Sequence, residues 1–307
     1  MFEGVQSVYL FAATLRMATP LILASTGAMF SELSGVTNLG IEGMMLCGAF
    51  AGSVITYLTQ NVSLGILAAI VAGGLMAGVH ALFSVRYKAD QIVTGIAINI
   101  FASGITQYLL ALVFGSVGNS KAVSVRISAV NVPLLSKIPV IGPVLNGQLW
   151  VVYLALVLPF MARWVVYHTA FGLRIRAAGE LPEAVATAGI RVNRLRYIGV
   201  IISGLLAGLA GAYLSIGLVD TFRRDMTAGR GYIALAALIL GKWKPLGVLA
   251  AAIFFGFADA LQMRLQMASL PVQFIQMVPY LVTIIALAGV VGKSRAPSAI
   301  NKPYEED

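Results

Sequence analysis

The chain has 307 residues, a net charge of +9, and 11% charged against 59% hydrophobic side chains. A soluble domain carries roughly a quarter charged residues, so this composition excludes an ordinary soluble globule and places the chain in the membrane. Its basic residues are not interleaved with aromatics, which argues against a nucleic-acid partner, and the single cysteine, Cys47, excludes an intrachain disulfide or a cysteine-based metal site.

Nine apolar runs follow in chain order: 8–30, 44–59, 62–84, 92–115, 149–167, 197–219, 232–241, 246–263 and 272–292. Most approach the ~20 residues that a membrane-crossing helix needs. The pattern predicts an all-α, polytopic transmembrane bundle of about 8–10 segments, some broken or re-entrant. Residues 1–292 form the transmembrane domain of this reading and 293–307 a cytoplasmic tail, which reads as disordered from residue 294. The start, MFEGVQ, lacks a basic leader and a cleavage site, so the first run is expected to remain in the mature protein. Arg16 and Pro20 within it suit a division into an interfacial helix and a separate span.

Runs 44–59 and 232–241 are short, and each follows a glycine-rich stretch, GVTNLGIEG (35–43) and TAGRG (227–231). Broken helices survive at membrane depth only where protein or water covers the freed backbone. One such segment in each half of a chain points to a transport path. Glu32, Asn38 and Glu42 in the first are suited to satisfy freed amides, as helix caps do. Asn99 and Asp259 are polar residues inside apolar runs, costly there and therefore functional candidates. Asp259 either lines the path or pairs with a span-end arginine such as Arg264. The candidate path residues are thus Asn38, Glu42, Asn99 and Asp259. Small residues four apart, Gly48/Gly52, Gly74/Gly78 and Gly204/Gly208, are expected to pack helices closely.

Charge sets the orientation. Arg86, Lys88, Arg163, Lys242, Lys244, Lys293, Arg295 and Lys302, with the arginines of 168–196, all fall on one side if basic loops lie inside. Segments 116–147 and 220–231 then face outward. Arg223, Arg224 and Arg230 in the latter are candidates for docking a soluble partner, since arginine outside runs against the trend. Segment 168–196 is polar and arginine-rich between apolar runs. Within it Pro182 suits a first helical position, Glu183 the first turn and Gly189 the stop, which describes a short, capped helix on a docking surface.

The chain has no GxxxxGK[ST] run and hence no Walker loop for ATP. His80 and His168 lack companions at metal spacing, and no acid–base or nucleophilic set is suggested. No enzyme, metal or cofactor is expected.

Three stretches, SELSGVTNLGIEGMMLCGAFAG (31–52), FGLRIRAAGELPEAVATAGIRVNRLRYIGVIISGLLAGLAGA (171–212) and MTAGRGYIALAALILGKWKPLG (226–247), resemble ABC-importer permeases of the branched-chain amino acid/ribose-type family. Within that family the chain is most similar to permeases of nucleoside uptake systems served by basic membrane lipoprotein-type binding proteins. The resemblance spans residues 20–292. It implies a subunit of a two-permease core in a bacterial inner membrane, surrounded by lipid. It also implies an ABC ATPase docked inside, an extracytoplasmic substrate-binding lipoprotein, and a related second permease as a heterodimer partner. The family's coupling helix falls on Pro182, Glu183, Ala184, Ala188 and Gly189, although EAVATAGI (183–190) only partly matches the EAA loop of other importers. The substrate implied is a nucleoside or a simple sugar, with a branched-chain amino acid as alternative. An ion-coupled secondary transporter or channel is the alternative from another class. It calls for several intramembrane carboxylates or histidines, where this chain offers mainly Asp259.

Overall fold

The computed structural model describes residues 2–116, 118–131, 141–265, 277, 281, 284 and 295–305. Almost all of it is helix. The helices are α1 (Phe2–Leu33), α2 (Ile41–Thr59), α3 (Val62–Ala81), α4 (Gln91–Phe114), α5 (Ile141–Leu145), α6 (Trp150–His168), α7 (Ala170–Glu180), α8 (Pro182–Thr187), α9 (Val192–Ala212), α10 (Arg230–Leu240) and α11 (Pro245–Leu265). Helices α3 and α9 continue through π-helical turns, Leu82–Arg86 and Tyr213–Leu218. A two-stranded antiparallel ribbon pairs β1 (Ala129–Val130) with β2 (Gln148–Leu149). Among the described residues, seven helices are long and apolar enough to span a membrane; α10 is shorter. The ninth apolar run, 272–292, lies largely outside the described residues.

Helix α9 is the hub, packed on α3, α2 and α1, while α1 also carries α11. Close approach depends on small side chains. A Cβ added at Gly208 would lie 2.2 Å from the Ala69 carbonyl oxygen, and one at Gly204 would lie 2.2 Å from the Ala77 Cβ. Across the other seam, a Cβ at Gly48 would meet Gly208 at 2.6 Å. The expected pair on α3 is corrected: Gly78 faces open space and Gly74 only the tip of Leu205, whereas Gly73, one residue earlier, meets Gly204 and Gly208. The contact row is Ala69–Gly73–Ala77, because residues four apart share a helix face. The outer faces of α3, α4 and α6 keep Leu75, Leu112 and Trp164 exposed, as lipid contact requires.

Pro20 does not divide the opening run. Helix α1 is continuous from Phe2 to Leu33, and the Arg16 carbonyl, which proline leaves without its helical donor, accepts the Tyr213 hydroxyl at 3.2 Å. A neighbouring helix thus repairs the gap. The first broken segment is also shorter than expected. Helix α2 starts at Ile41, three residues before the apolar run, and its 19 residues suffice to span. Only the buried loop 34–40 is irregular. Helix α10 is short, as its sequence requires: 11 residues rise about 16 Å, half of a hydrocarbon core.

The two polar ends are distinct. At one, residues 118–131 meet 216–224 through Ser120 N–H to the Phe222 carbonyl (2.8 Å), Val123 N–H to the Asp220 carbonyl (2.8 Å) and an Arg126–Asp220 ion pair. At the other, the basic residues after α3 join α7, α8 and the chain's last described stretch. That stretch, 295–305, corrects the expectation of disorder. Ala299 N–H donates to the Gly179 carbonyl at 2.8 Å and Lys88 pairs with Glu305 at 3.1 Å.

Candidate translocation junction and coupling surface

The two glycine-rich segments meet inside the fold. Glu42, at the first turn of α2, accepts the Gly229 N–H at 2.7 Å and the Gly231 N–H at 2.6 Å. Its carboxylate therefore caps α10, whose amino-terminal amides and dipole favour a negative charge. Contact is close: a Cβ at Gly231 would lie 2.6 Å from the Glu42 Cα. Beyond the other end of α10, the Trp243 indole N–H donates to Glu32 at 2.6 Å. One helix too short to cross is thus held at both ends by carboxylates flanking the first break.

Asn99 ties α4 into this junction. Its amide oxygen accepts the Gly43 N–H at 2.8 Å, and its amide nitrogen donates to the Leu39 carbonyl and the Tyr232 hydroxyl, each at 2.9 Å. Asn38, fully buried, accepts the Gly40 N–H at 3.1 Å and donates to Ser203 at 3.1 Å. One turn beyond Asn99, Ser103 donates to Asp225 at 2.7 Å. An open recess of about 330 Å³ lies over these groups, lined by Glu42, Asn99, Ile100, Ser103, Asp225 and Gly229 among others.

The structure therefore brings together two of the four path candidates, Glu42 and Asn99, on the recess wall. Asn38 is not part of the recess lining; its amide is taken up by its own loop and by Ser203 on α9. Asp259 is 9% exposed on α11 and outside the recess lining. Ser103, Asp225 and Tyr232 were not singled out as path residues. The four-residue spacing of Asn99 and Ser103, one helical turn, is the signal that marks them.

Of the three arginines in segment 220–231, Arg223 and Arg224 are exposed, with Arg224 beside Asp225 at 3.4 Å. Arg230 does not join them: it is half-buried and reaches back to the Thr227 carbonyl at 3.3 Å. His80 is buried between the Thr37 carbonyl (3.1 Å) and the Thr94 hydroxyl (3.3 Å), as an interior histidine. No group of three or more potential metal ligands occurs among the described residues.

At the opposite pole, α8 begins with Pro182 in its first turn and ends at Gly189, whose φ of +76° is the left-handed conformation expected of a helix stop. Pro182 and Val185 are buried, while Glu183, Ala184, Ala188 and Gly189 are exposed. Nothing lies within 4 Å of a Cβ added at Gly189. The helix thus presents a small-residue face that the described residues leave uncovered.

Residues 10–287 match the family described as branched-chain amino acid transport system / permease component. The chain belongs to that family. The permease is 41% identical over 304 residues to the guanosine ABC transporter permease protein NupQ of Bacillus subtilis (strain 168), covering 95% of each chain. It is 38% identical, again over 95% of each, to the nucleoside ABC transporter permease protein NupC of Lactococcus lactis subsp. cremoris (strain MG1363). Among solved structures, an inward-facing ABC transporter of the metal-chelate type superposes with a TM-score of 0.52 at 14% identity, covering 90% of the permease and 84% of that chain. This last likeness concerns the fold. The permease is a multi-pass membrane subunit of an ABC importer in the bacterial inner membrane, a transport component rather than an enzyme. The family's architecture joins permease, ATPase and substrate-binding components.

Proposed function

We propose that the permease forms half of the path by which a nucleoside enters the cell, in a heterodimer with a related second permease. A substrate-binding lipoprotein delivers the nucleoside from outside, and an ABC ATPase docks on α8 from the cytoplasm. The observation that supports the coupling role is the uncovered face of α8, at the pole where the basic loops gather. The relatives at 41% and 38% identity are permeases for guanosine and nucleosides, which favours a nucleoside over a simple sugar or a branched-chain amino acid. Glu42 holds α10 beside the path. Asn99, Ser103, Asp225 and Tyr232 line it on the side that faces the second permease. Arg223 and Arg224 form the rim that meets the binding protein.

Two experiments test this reading. In a Cys47→Ser background, cysteines at Lys121 and Thr187, both exposed, are probed in intact cells with a membrane-impermeant thiol reagent. Labelling at 121 and protection at 187 are expected; the reverse places α8 outside and removes the coupling role. In liposomes, guanosine uptake is expected only with the ATPase, the second permease and ATP. Uptake by this chain alone on an ion gradient assigns it to the secondary transporters.

A further inference from the structure

The stretch 295–305 is bound beneath α7 and α8 by contacts of several kinds. The Ser298 hydroxyl donates to Glu180 at 2.9 Å, and Ala299 N–H donates to the Gly179 carbonyl at 2.8 Å. The Tyr304 ring is buried in one apolar cluster with Ala178, Val185, Val192 and Leu195. Val185 is, with Pro182, a buried residue of α8, so Tyr304 belongs to the apolar cluster on which α8 rests.

Arg196, on α9, stands at the centre of this arrangement and is 1% exposed. Its Nη1 donates to the Lys302 carbonyl at 2.9 Å and its guanidinium lies 5.9 Å from the centre of the Tyr304 ring. A Cβ at Gly35 would lie 3.1 Å from Arg196 Nη2 and 3.3 Å from the Ala299 carbonyl oxygen, and one at Gly179 would lie 2.2 Å from the Leu33 carbonyl oxygen. Gly35, with φ +90°, opens the loop that leads to Asn38 and Glu42. A buried guanidinium is costly without partners. Among the described residues, its hydrogen-bond acceptor and its aromatic face both come from the terminal stretch.

We propose that residues 295–305 are a clamp that fixes the coupling helix to the Gly35 loop, with Tyr304 and Arg196 as its positioning residues. ATP-driven movement at α8 then reaches the loop before Glu42 instead of being lost in a loose connector. The inference rests on the reading of α8 as the ATPase-docking helix.

The test uses the whole importer in liposomes with Tyr304→Ala, Tyr304→Leu, which keeps apolar bulk, and Tyr304→Phe, which keeps the ring. With Tyr304→Ala and Tyr304→Leu, substrate stimulation of ATP hydrolysis and nucleoside moved per ATP are expected to fall about tenfold, equivalent to roughly 1.4 kcal/mol. Basal hydrolysis is expected to stay within about twofold of wild type on the same scale, and Tyr304→Phe to restore stimulation. Unchanged stimulation in Tyr304→Ala overturns the clamp. So does a parallel fall of folded yield, basal hydrolysis and stimulation in Tyr304→Ala and Tyr304→Leu, because a merely structural residue behaves that way. A photoactivatable group on Thr187→Cys, in a Cys47→Ser background, separates the two ideas. No cross-link to the ATPase in otherwise wild-type protein overturns the docking reading of α8. A cross-link there, together with unchanged stimulation in Tyr304→Ala, overturns the clamp alone.

Discussion

Helices α8 and α10 are both short, both follow a break in the chain, and both carry glycine at a boundary, yet they are finished in opposite ways. The first turn of α10 is closed from inside by Glu42, and Asn99 stitches Tyr232 just beyond it. The start of α8 has no side-chain cap, and its Ala184, Ala188 and Gly189 are left open. Burial explains the difference. Away from water an unmet N–H has no other partner, so the protein must supply the acceptor. At the exposed face of α8 water can serve. An internally satisfied break supports the fold, and an open one is available to another subunit.

Substitutions can break or sharpen that contrast, ranked here by the loss of stability expected. Glu42→Ala leaves the Gly229 and Gly231 amides unmet, at about 1–3 kcal/mol for each. It is expected to lower the unfolding midpoint of the purified permease or to eliminate monodisperse protein, with Glu42→Gln between it and wild type. A neutral Glu42→Ala breaks the comparison at its root. Gly208→Ala forces a Cβ to 2.2 Å from a backbone oxygen and is expected to cost about 1–3 kcal/mol by overpacking. Gly78→Ala, with open space around it, is the control and is expected to be neutral or slightly stabilising in the same thermal melt.

Tyr213→Phe removes the donor to the Arg16 carbonyl and is expected to cost about 0.5–1.5 kcal/mol. Restoring the amide by changing Pro20 to alanine in the same chain should recover most of the loss; no recovery separates Tyr213 from the proline. At the small end stand Ala184→Trp and Ala188→Trp, expected within about 0.5 kcal/mol of wild type because both sites are exposed surface positions. Their effect is instead functional: nucleoside uptake and substrate-stimulated ATP hydrolysis by the assembled importer should be lost. Normal uptake with both bulky side chains in place leaves α8 as an ordinary connector.

Much of this was legible from the residues alone. The membrane class followed from 59% hydrophobic composition, and the runs located the spanning helices because a bilayer fixes their length. The glycine-rich breaks before residues 44 and 232 marked the junction, since broken helices are costly in lipid. Pro182 and Gly189 bounded α8, because their backbone preferences are local. Basic loops identified one pole.

Tertiary structure decided what depends on a partner distant in sequence. Pro20 reads as a break in isolation, and only Tyr213, 193 residues later, shows why the helix continues. Glu42 reads as a local cap for its own segment, yet its acceptors serve amides 187 and 189 residues away. Gly73 rather than Gly78 meets α9, because a spacing pattern gives the period of a helix face but not its rotation. The terminal stretch looks disordered by composition and is held because Arg196 and the face behind Val185 await it. Composition and periodicity carry the local preferences of backbone and bilayer; which buried polar group meets which donor is fixed only when the helices close on one another.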